Sequence, residues 1–244
     1  MAADRLNGRR AFVTGGAKGI GLAIVERLVA EGCEVIFSAR DMEPVAEVVA
    51  RTGARTVQLD VSDLPACHRV VSDNGPFDIL VNNAGMDQHA FFTKTAPDEW
   101  DYLIDVNLKA VLATCHAALP SMQERGFGRI INIGSEAGRQ GSRGGSVYAA
   151  AKGGVIAFTK SLARENGRFG ITANVIAPGP VDTPLLRSAV AQGGEELLKA
   201  MKRSTLVGRL GRPDEVASAV AYLAADDAGF ITGEAIGVSG GMGC

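Results

Sequence analysis

The stretch that most limits how this chain can fold is a short apolar segment followed at once by a glycine-rich turn. Residues 10–14 (RAFVT) have the character of a buried strand, and they run into GGAKGIG and then into apolar residues at helical spacing. Strand, turn and helix in this order predict a βα unit. Gly15, Gly19 and Gly21 would permit a tight turn and close approach of a ligand, while the helix's first amides could donate to a pyrophosphate. A dinucleotide fits here, although the glycine spacing matches the general fingerprint only loosely.

Short apolar segments and helical patterns alternate through the rest of the chain. Strands are predicted at residues 34–38, 55–59, 78–81, 130–133, 171–176 and 235–238. Helices are predicted at residues 44–50, 63–72, 97–122, from 147 onward, 195–202 and 213–224. Because strand–helix–strand crossovers are right-handed, this order predicts an α/β fold, a Rossmann-type doubly wound parallel sheet. The length suits a single domain over residues 1–244, with ligands beyond the carboxyl ends of the strands.

Composition excludes several classes of function. The net charge is −2 and no Lys/Arg cluster is present, so we expect no nucleic acid and no acidic membrane surface as a partner. No apolar run approaches the ~20 residues of a membrane span, and the first residues lack a signal peptide's apolar stretch, which favours a cytoplasmic protein. The scattered cysteines indicate free thiols, and neither they nor the histidines have metal-ligand spacing, so no metal is expected. These residues are Cys33, Cys67, Cys115, Cys244, His68, His89 and His116.

The end of the second predicted strand bears on which dinucleotide would bind. An acidic residue there would hold the adenosine ribose 2′-hydroxyl, whereas an arginine accommodates a 2′-phosphate. Ala39 is followed by Arg40, which favours NADP(H), and Lys18 in the glycine turn could reach the same phosphate. Asp41 leaves NAD(H) possible, because it could hold a ribose hydroxyl. We favour the other interpretation, in which Asp41 caps the next helix.

Two further strand ends carry polar side chains. Asp60 and Val61 follow the third predicted strand. Asp60 could hydrogen-bond an adenine, or Asp60 or Ser62 could instead form a turn or cap before the next helix. Asn82 and Asn83 follow the fourth strand, and we expect them to bind backbone or ligand.

A third set of polar residues follows the fifth predicted strand. Ser135 stands at its end, and Tyr148 and Lys152 are four residues apart on one face of the following helix. A free tyrosine titrates near ~10, and a nearby ammonium favours the phenolate, so Lys152 is expected to lower the pKa of Tyr148. The serine could donate to a substrate oxygen while the tyrosine gives or takes a proton, which suits alcohol–ketone chemistry. Spacing alone does not decide this, because chance pairs share a helix face in the same way.

One asparagine lies within the apolar face of a predicted helix. Asn107 belongs to the helix predicted over residues 97–122. A buried asparagine needs partners, so it is either satisfied by backbone groups or placed for function.

These motifs together resemble the short-chain dehydrogenase/reductase family. TGGAKGIG at 14–21, NNAG at 82–85, Asn107, Ser135, YxxxK at 148–152 and PG at 178–179 occur in that family's order and at its separations. The match covers almost the whole chain. One small departure is Gly134, where many members have a serine. The resemblance implies a Rossmann-type fold, usually a homotetramer, that moves a hydride between a nicotinamide and a carbonyl or alcohol carbon.

The resemblance also implies roles for single residues. Tyr148 would be the acid–base, Lys152 would hold the nicotinamide ribose and lower the tyrosine's pKa, and Ser135 would fix the substrate oxygen. Asn107 would support a water that leads protons from Lys152 to solvent, and Thr183 would contact the carboxamide. The cofactor positions are Gly15, Lys18, Gly19, Ile20, Gly21, Arg40, Asp60, Val61, Asn83, Ala84, Gly85, Tyr148, Lys152, Pro178, Gly179, Val181 and Thr183.

By the same resemblance, three loops would enclose the substrate, within about residues 86–96, 136–146 and 180–205. Apolar residues there suggest an apolar pocket, yet each could be core or interface. Arginines there could pair with a carboxylate or a phosphate-bearing carrier, or point to solvent or pair with Glu136. The residues concerned are Phe91, Phe92, Leu185, Leu186, Arg139 and Arg143.

Within the family the chain looks most like 3-oxoacyl-carrier-protein-reductase-like carbonyl reductases. The expected activity is therefore NADPH-dependent reduction of a ketone, 3-oxoacyl or another small carbonyl, to a secondary alcohol. FFTKTAPDEW resembles cyclic hydroxyacyl-CoA dehydrogenases, and the length and terminal cysteine resemble L-xylulose (dicarbonyl) reductases, which leaves both as alternatives. A non-catalytic NADP-binding sensor is a further alternative, against which the complete set of Ser135, Tyr148 and Lys152 argues.

Overall fold

The computed structural model describes residues 4–43 and 45–244, and in this part of the chain seven strands form one sheet. Their order is β3-β2-β1-β4-β5-β6-β7, and every pairing is parallel. The strands are Arg10–Val13 (β1), Glu34–Ala39 (β2), Arg55–Gln58 (β3), Ile79–Asn82 (β4), Gly128–Ile133 (β5), Ile171–Pro178 (β6) and Ala235–Val238 (β7). The order reverses between β1 and β4, so their carboxyl ends flank a ligand crevice.

Helices connect the strands, as right-handed crossovers require. They are Gly19–Ala30 (α1), Val45–Thr52 (α2), Leu64–Asn74 (α3), Pro97–Ile104 (α4), Ala110–Arg125 (α5), Glu136–Gln140 (α6), Ser146–Asn166 (α7), Pro184–Arg203 (α8) and Pro213–Ala224 (α9). Single 3₁₀ turns lie at Phe92–Lys94, Gly167–Phe169 and Asp226–Ala228.

Both faces of the sheet are covered. Apolar residues of α1, α2 and α9 pack on one face, and those of α3, α5 and α7 pack on the other. All six residues of β5 and all eight of β6 are buried, as expected for central strands of a sheet with helices on both sides. The predicted Rossmann-type, doubly wound parallel sheet in a single domain is confirmed.

Three predicted segments differ from the structure in their bounds. The stretch after β5 was expected to be a loop, but it contains the short helix α6, which Ser135 caps by accepting a hydrogen bond from the Ala137 amide at 3.1 Å. α8 begins at Pro184, well before the predicted 195–202, and bends at Gly194, where φ is +76°. The helix predicted at 44–50 is α2, and its first predicted residue, Pro44, lies outside the described residues.

The long helix predicted over residues 97–122 is interrupted. A π-helical turn, Asp105–Lys109, separates α4 from α5 and contains Asn107. π turns inside α-helices occur frequently at functional sites. The helical run Pro97–Arg125 has the length and mean hydropathy of a membrane span, contrary to the sequence expectation, but a core helix passes the same test. Its buried residues, among them Val111, Cys115 and Met122, pack into the core beneath the sheet.

A chain of buried hydrogen bonds ties two helices to the strands beside the crevice. Asn132 of β5 accepts a hydrogen bond from Asn82 of β4 at 2.8 Å and donates one to Thr159 of α7 at 2.9 Å. Thr114 of α5 donates to Asn82 at 2.6 Å. All four side chains are at most 3% exposed. The bridge fixes α5 and α7, which flank the polar residues predicted to form a site, relative to β4 and β5.

Candidate active site

The glycine-rich turn after β1 forms a cradle that side chains would fill. Gly15 and Gly19 have φ of +69° and +58°, which glycine adopts without strain. A Cβ atom at Gly21 would collide with the Gly15 carbonyl. α1 starts at Gly19 without a side-chain cap, so its first amide groups stay available to an anion. These features fit a dinucleotide pyrophosphate and agree with the positions predicted from Gly15 to Gly21.

The end of β4 is fastened to this turn. The Thr14 hydroxyl accepts from the amides of Asn83 and Ala84 at 2.9 and 3.0 Å. Asn83 donates through Nδ2 to the carbonyls of Thr14 and Gly15 at 3.0 and 3.1 Å. Asn83 therefore binds backbone, one of the two outcomes expected for it, and it holds Ala84 and Gly85 at the edge of the crevice. Asn82 bonds to side chains instead, as described above.

Two cations lie at the predicted adenosine end. Lys18 and Arg40 are exposed, and within residues 4–43 and 45–244 neither has a carboxylate in salt-bridge contact. Arg40 donates to the Tyr102 hydroxyl at 3.2 Å. The Asp41 carboxylate accepts from the Glu43 amide at 3.0 Å and forms a local turn before α2. Because Glu43 precedes the helix, this bond is not a cap of α2, and the capping interpretation of Asp41 stays a prediction.

Asp60 is engaged in a turn after β3. Its Oδ1 accepts from the amide and the hydroxyl of Ser62 at 2.9 and 2.8 Å. These two hydrogen bonds, with a smaller effect of the Arg40 charge, hold the pKa of Asp60 below its usual value. Asp63 caps α3 by accepting from the Ala66 amide. The turn interpretation of Asp60 is thus confirmed, and Oδ2 remains able to accept from an adenine.

Ser135, Tyr148 and Lys152 come together at the carboxyl end of β5. Lys152 donates from Nζ to the Ile133 carbonyl at 2.8 Å, and its Nζ lies 5.8 Å from the centroid of the Tyr148 ring. Ser135 follows β5, and its hydroxyl lies near enough to that of Tyr148 to favour the phenolate. Lys152 is 4% exposed, whereas Tyr148 and Ser135 keep part of their surface accessible. The arrangement presents two hydroxyl groups to one substrate oxygen.

Asn107 reaches the same place from the π turn. Its Oδ1 accepts from the Met86 amide at 3.2 Å, and its Nδ2 donates to the carbonyls of Met86 and Leu103 at 3.0 Å each. A Cβ atom at Gly85 would lie 2.8 Å from Asn107 Oδ1 and 3.5 Å from Lys152 Nζ. Asn107 is therefore satisfied by backbone groups, and because it also stands beside Lys152, its placement for function stays a prediction.

The loop after β6 closes the other side of the crevice. Thr183 caps α8 by accepting from the Leu186 amide at 3.2 Å. A Cβ atom at Gly19 would lie 3.5 Å from the Thr183 Cβ, so this loop meets the glycine-rich turn. Val181 is buried and forms an isolated bridge with Gly211, while Pro178 ends β6 and Gly179 follows it. The residues predicted to contact the nicotinamide end therefore lie along one wall.

Comparison with known proteins shows the family. A family model described as enoyl-(acyl carrier protein) reductase matches residues 15–243. The chain is 42% identical over 240 residues to the acetoacetyl-CoA reductase of Shinella zoogloeoides, covering 96% of this chain and 98% of that one. It is 42% identical over 242 residues to a 3-oxoacyl-[acyl-carrier-protein] reductase of Salmonella typhimurium, with coverages of 96% and 97%. The chain belongs to the short-chain dehydrogenase/reductase family.

Solved structures agree with this assignment. A short-chain dehydrogenase/reductase family protein superposes with a TM-score of 0.91 at 34% identity, covering 98% of this chain and 99% of that one. The 3-oxoacyl (acyl-carrier-protein) reductase of Agrobacterium tumefaciens C58, solved with NADP bound, gives a TM-score of 0.92 at 32% identity, with coverages of 97% and 95%. The protein is therefore an oxidoreductase of a family that uses a nicotinamide cofactor.

The surroundings of Tyr148 and Lys152 shift the pKa values of both side chains. Burial raises the pKa of Tyr148 to about 12, the Asp87 charge acts in the same direction, and the nearby Ser135 hydroxyl opposes them. The lowering predicted from Lys152 is not found, because burial, the largest effect on the phenol, acts in the opposite direction. Burial likewise lowers the pKa of Lys152 to about 8, against the effect of Asp87. At neutral pH the Tyr148 phenol is therefore protonated.

The side chains of the predicted substrate loops divide into two kinds. Arg139 binds the buried Glu136 carboxylate at 3.1 Å, so its role is structural. Arg143 is exposed, with its guanidinium 5.4 Å from the Phe91 ring centroid, and remains able to meet an anion. The exposed fractions of Phe91, Phe92 and Leu185 are 56%, 53% and 54%, so in the isolated chain they are not core, and Leu186 is partly buried.

Sequence reasoning missed two residues of the segment that follows NNAG. Asp87 exerts a charge effect on both Tyr148 and Lys152, and it lies 3.5 Å from His89. Gln88 bonds to the first turn of α7. No local pattern identifies these two residues, because their partners lie about sixty positions further along the chain.

The effect of Asp87 gives a pH prediction. Asp87→Asn removes a charge that disfavours the phenolate, so the pKa of Tyr148 should fall. In the acid–base role that the family resemblance implies for Tyr148, the phenolate would be the base for alcohol oxidation, and its fraction below the pKa grows as that pKa falls. We expect kcat for oxidation at pH 9 to rise at least about twofold, and the loss of reduction at high pH to begin at a lower pH.

Measurement of kcat from pH 6 to 10 in both directions tests this. Asp73→Asn, on α3, serves as the control and should leave both profiles in place. Profiles that move to higher pH in Asp87→Asn would contradict the assigned role of this charge.

Proposed function

We propose that this protein is an NADPH-dependent reductase that converts the ketone of a 3-oxoacyl thioester to a secondary alcohol. The observation that carries the proposal is the geometry that holds Tyr148 beside Ser135 and Lys152 at the carboxyl end of β5. Reduction requires a proton donor for the carbonyl oxygen, and this site provides one at neutral pH. Relatives named as acetoacetyl-CoA and 3-oxoacyl-[acyl-carrier-protein] reductases support the choice of ketone.

Each residue has a defined task in this reaction. The bound nicotinamide, when reduced, supplies the hydride that adds to the carbonyl carbon. Ser135 donates a hydrogen bond to the carbonyl oxygen, and Tyr148 transfers its proton to the alkoxide that develops there. Lys152 binds the nicotinamide ribose, and Asn107 supports the water through which the proton of Tyr148 is replaced. The product is a 3-hydroxyacyl thioester.

Two cations support NADPH over NADH. Lys18 and Arg40 are exposed on the adenosine side, and neither is neutralised by a carboxylate contact in the described part of the chain. A 2′-phosphate carries about two negative charges, which favours such an uncompensated pair. A relative of the same fold has been solved with NADP bound, which further supports this choice.

The side chains of the predicted substrate loops fit an acyl thioester, but they do not distinguish coenzyme A from acyl carrier protein as its carrier. Phe91, Phe92 and Leu185 offer apolar surface to an acyl chain, and the exposed Arg143 can meet a phosphate of the carrier. Coenzyme A and acyl carrier protein both bear such a phosphate. The family model is described by reduction of an enoyl group, so a C=C substrate belongs among the compounds tested.

We also propose that the enzyme is a cytoplasmic homotetramer, as its resemblance to the family implies. The exposed apolar residue Leu112 on α5, 37% accessible, suits a subunit contact near the π turn. Light scattering of the purified protein measures the assembly directly. A monomeric mass would refute the tetramer and leave the catalytic proposal unaffected.

The catalytic proposal predicts the behaviour of a tyrosine variant. Tyr148→Phe keeps the ring and removes the proton donor, so kcat for acetoacetyl-CoA should fall at least about a hundredfold while the Kd of NADPH changes less than about threefold. Stopped-flow and fluorescence titration measure the two quantities. Tyr222→Phe, on the outer surface of α9, is the matched control and should behave as wild type.

The outcomes separate the candidate reactions. Turnover of 3-oxoacyl thioesters that is lost in Tyr148→Phe supports the proposal. Turnover of enoyl thioesters and of no 3-oxoacyl thioester would show that the enzyme reduces a C=C bond and not a ketone. Unchanged turnover in Tyr148→Phe would exclude this residue as the proton donor.

The cofactor proposal predicts a selective loss. Arg40→Ala should weaken NADPH binding at least about tenfold, because a charged hydrogen-bond partner of the phosphate is removed, and should change NADH binding less than about twofold. Arg55→Ala, at the amino end of the neighbouring strand β3, is the control and should alter neither. Equal weakening of both cofactors would count against a 2′-phosphate contact.

A further inference from the structure

The helix that carries the catalytic pair begins without a capping side chain of its own. The residue before α7 is Gly145, which has no side chain, and the first turn holds no acidic residue. The first amide groups of any helix lack partners within the helix, and usually a Ser, Thr, Asp or Asn oxygen accepts from the second and third of them. In α7 these two positions are Val147 and Tyr148.

Gln88 supplies that oxygen from a different segment. Its Oε1 accepts hydrogen bonds from the amides of Val147 and Tyr148 at 2.9 and 3.2 Å. Both partners are backbone donors, so the oxygen of the Gln88 amide must face them. Gln88 is 9% exposed, and it stands 60 positions before Tyr148 in the sequence.

A second contact joins the same two segments. The Ala90 amide donates to the Gly144 carbonyl at 2.9 Å. Gly144 directly precedes Gly145, the residue before α7. The Gln88 side chain and the Ala90 backbone thus hold the loop after β4 against the start of α7. Lys152 is held further along the same helix by the Ile133 carbonyl, so Tyr148 lies between two anchored points.

The nitrogen of the Gln88 side-chain amide shows which of its two polar atoms matters here. Its Nε2 is buried and, within the described residues, has no hydrogen-bond partner. A buried unpaired donor is unfavourable, so the side chain is placed for what its oxygen does. The acceptor at the start of α7 is that function.

We propose that Gln88 is a positioning residue that caps the catalytic helix in place of a local capping residue and thereby sets the position of Tyr148. It touches no reacting atom and acts through the tyrosine. The inference rests on the proposed reduction for its kinetic consequence. Its structural consequence, protection of two backbone amides, is independent of any substrate.

Gln88→Met removes the acceptor and keeps the length of the side chain. Since small errors in the position of an acid–base group cost up to about a hundredfold in rate, kcat should fall at least about tenfold while KM and the Kd of NADPH stay within about twofold. Gln88→Glu keeps an oxygen at the helix start and removes the unpaired donor, so its kcat for reduction should stay within about threefold of wild type. Equal losses in the two variants would overturn the proposal.

A double variant separates positioning from general stability. In a Tyr148→Phe background no proton donor is left to misplace, so adding Gln88→Met should lower the residual rate less than about twofold. The same loss in both backgrounds would show that Gln88 acts elsewhere. Gln123→Met is the matched control, since Gln123 bonds Asn166 at the far end of α7 at 2.7 Å, and it should leave kcat unchanged.

Amide hydrogen exchange gives a readout that needs no activity. The Val147 and Tyr148 amides should exchange at least about tenfold faster in Gln88→Met and at the wild-type rate in Gln88→Glu and Gln123→Met. Unchanged exchange in Gln88→Met would overturn the proposal even if activity were lost. A wild-type enzyme that reduces no ketone would refute the proposed function, while this exchange experiment would still decide the role of Gln88.

Discussion

The geometry of the site depends on a buried bridge of side-chain hydrogen bonds at the carboxyl end of the sheet. Asn132 of β5 joins Asn82 of β4 to Thr159 of α7, and Thr114 of α5 completes the bridge. A buried polar group that loses its partner costs about 1–3 kcal/mol, so sliding α7 along the sheet would leave several groups unpaired at once. That cost holds α7 in one register on β5, and it is this register that brings Tyr148 and Lys152 opposite Ser135.

The same dense packing sets the protonation states. Removal of water disfavours charge, so it raises the pKa of the Tyr148 phenol and lowers that of the Lys152 ammonium. The charge of Asp87 raises both pKa values, so it favours the charged form of Lys152 and the neutral form of Tyr148. Packing therefore favours the neutral phenol at Tyr148 near neutral pH, and it disfavours the charged ammonium at Lys152.

Local pattern and chemistry explain how far the sequence could predict this arrangement. Periodicity predicted β7 and α9 with their observed bounds. The order and spacing of the motifs predicted that Ser135, Tyr148 and Lys152 lie close together, as the structure shows. The early start of α8 was available in the sequence as a threonine cap followed by Pro184, a common helix start. The direction of the pKa shift of Tyr148 could not be predicted from the sequence. Residue spacing reveals a neighbouring charge, but it does not reveal how deeply the phenol is buried. The contact of Gln88 with α7 joins positions too far apart for any local signal.

The two halves of the crevice are anchored differently, and this bears on how substrate choice can change. The cofactor side is fastened by Thr14 and Asn83 between β1 and β4. The side predicted to bind substrate is fastened by contacts of Gln88 and Ala90 with the segment that opens α7. A substitution in the loop after β4 can therefore alter both the pocket wall and the start of the catalytic helix, while the glycine-rich turn keeps its own hydrogen bonds. The start of the helix that carries Tyr148 and Lys152 is thus coupled to the loop after β4, whereas the hydrogen bonds between the glycine-rich turn and Asn83 lie outside that contact.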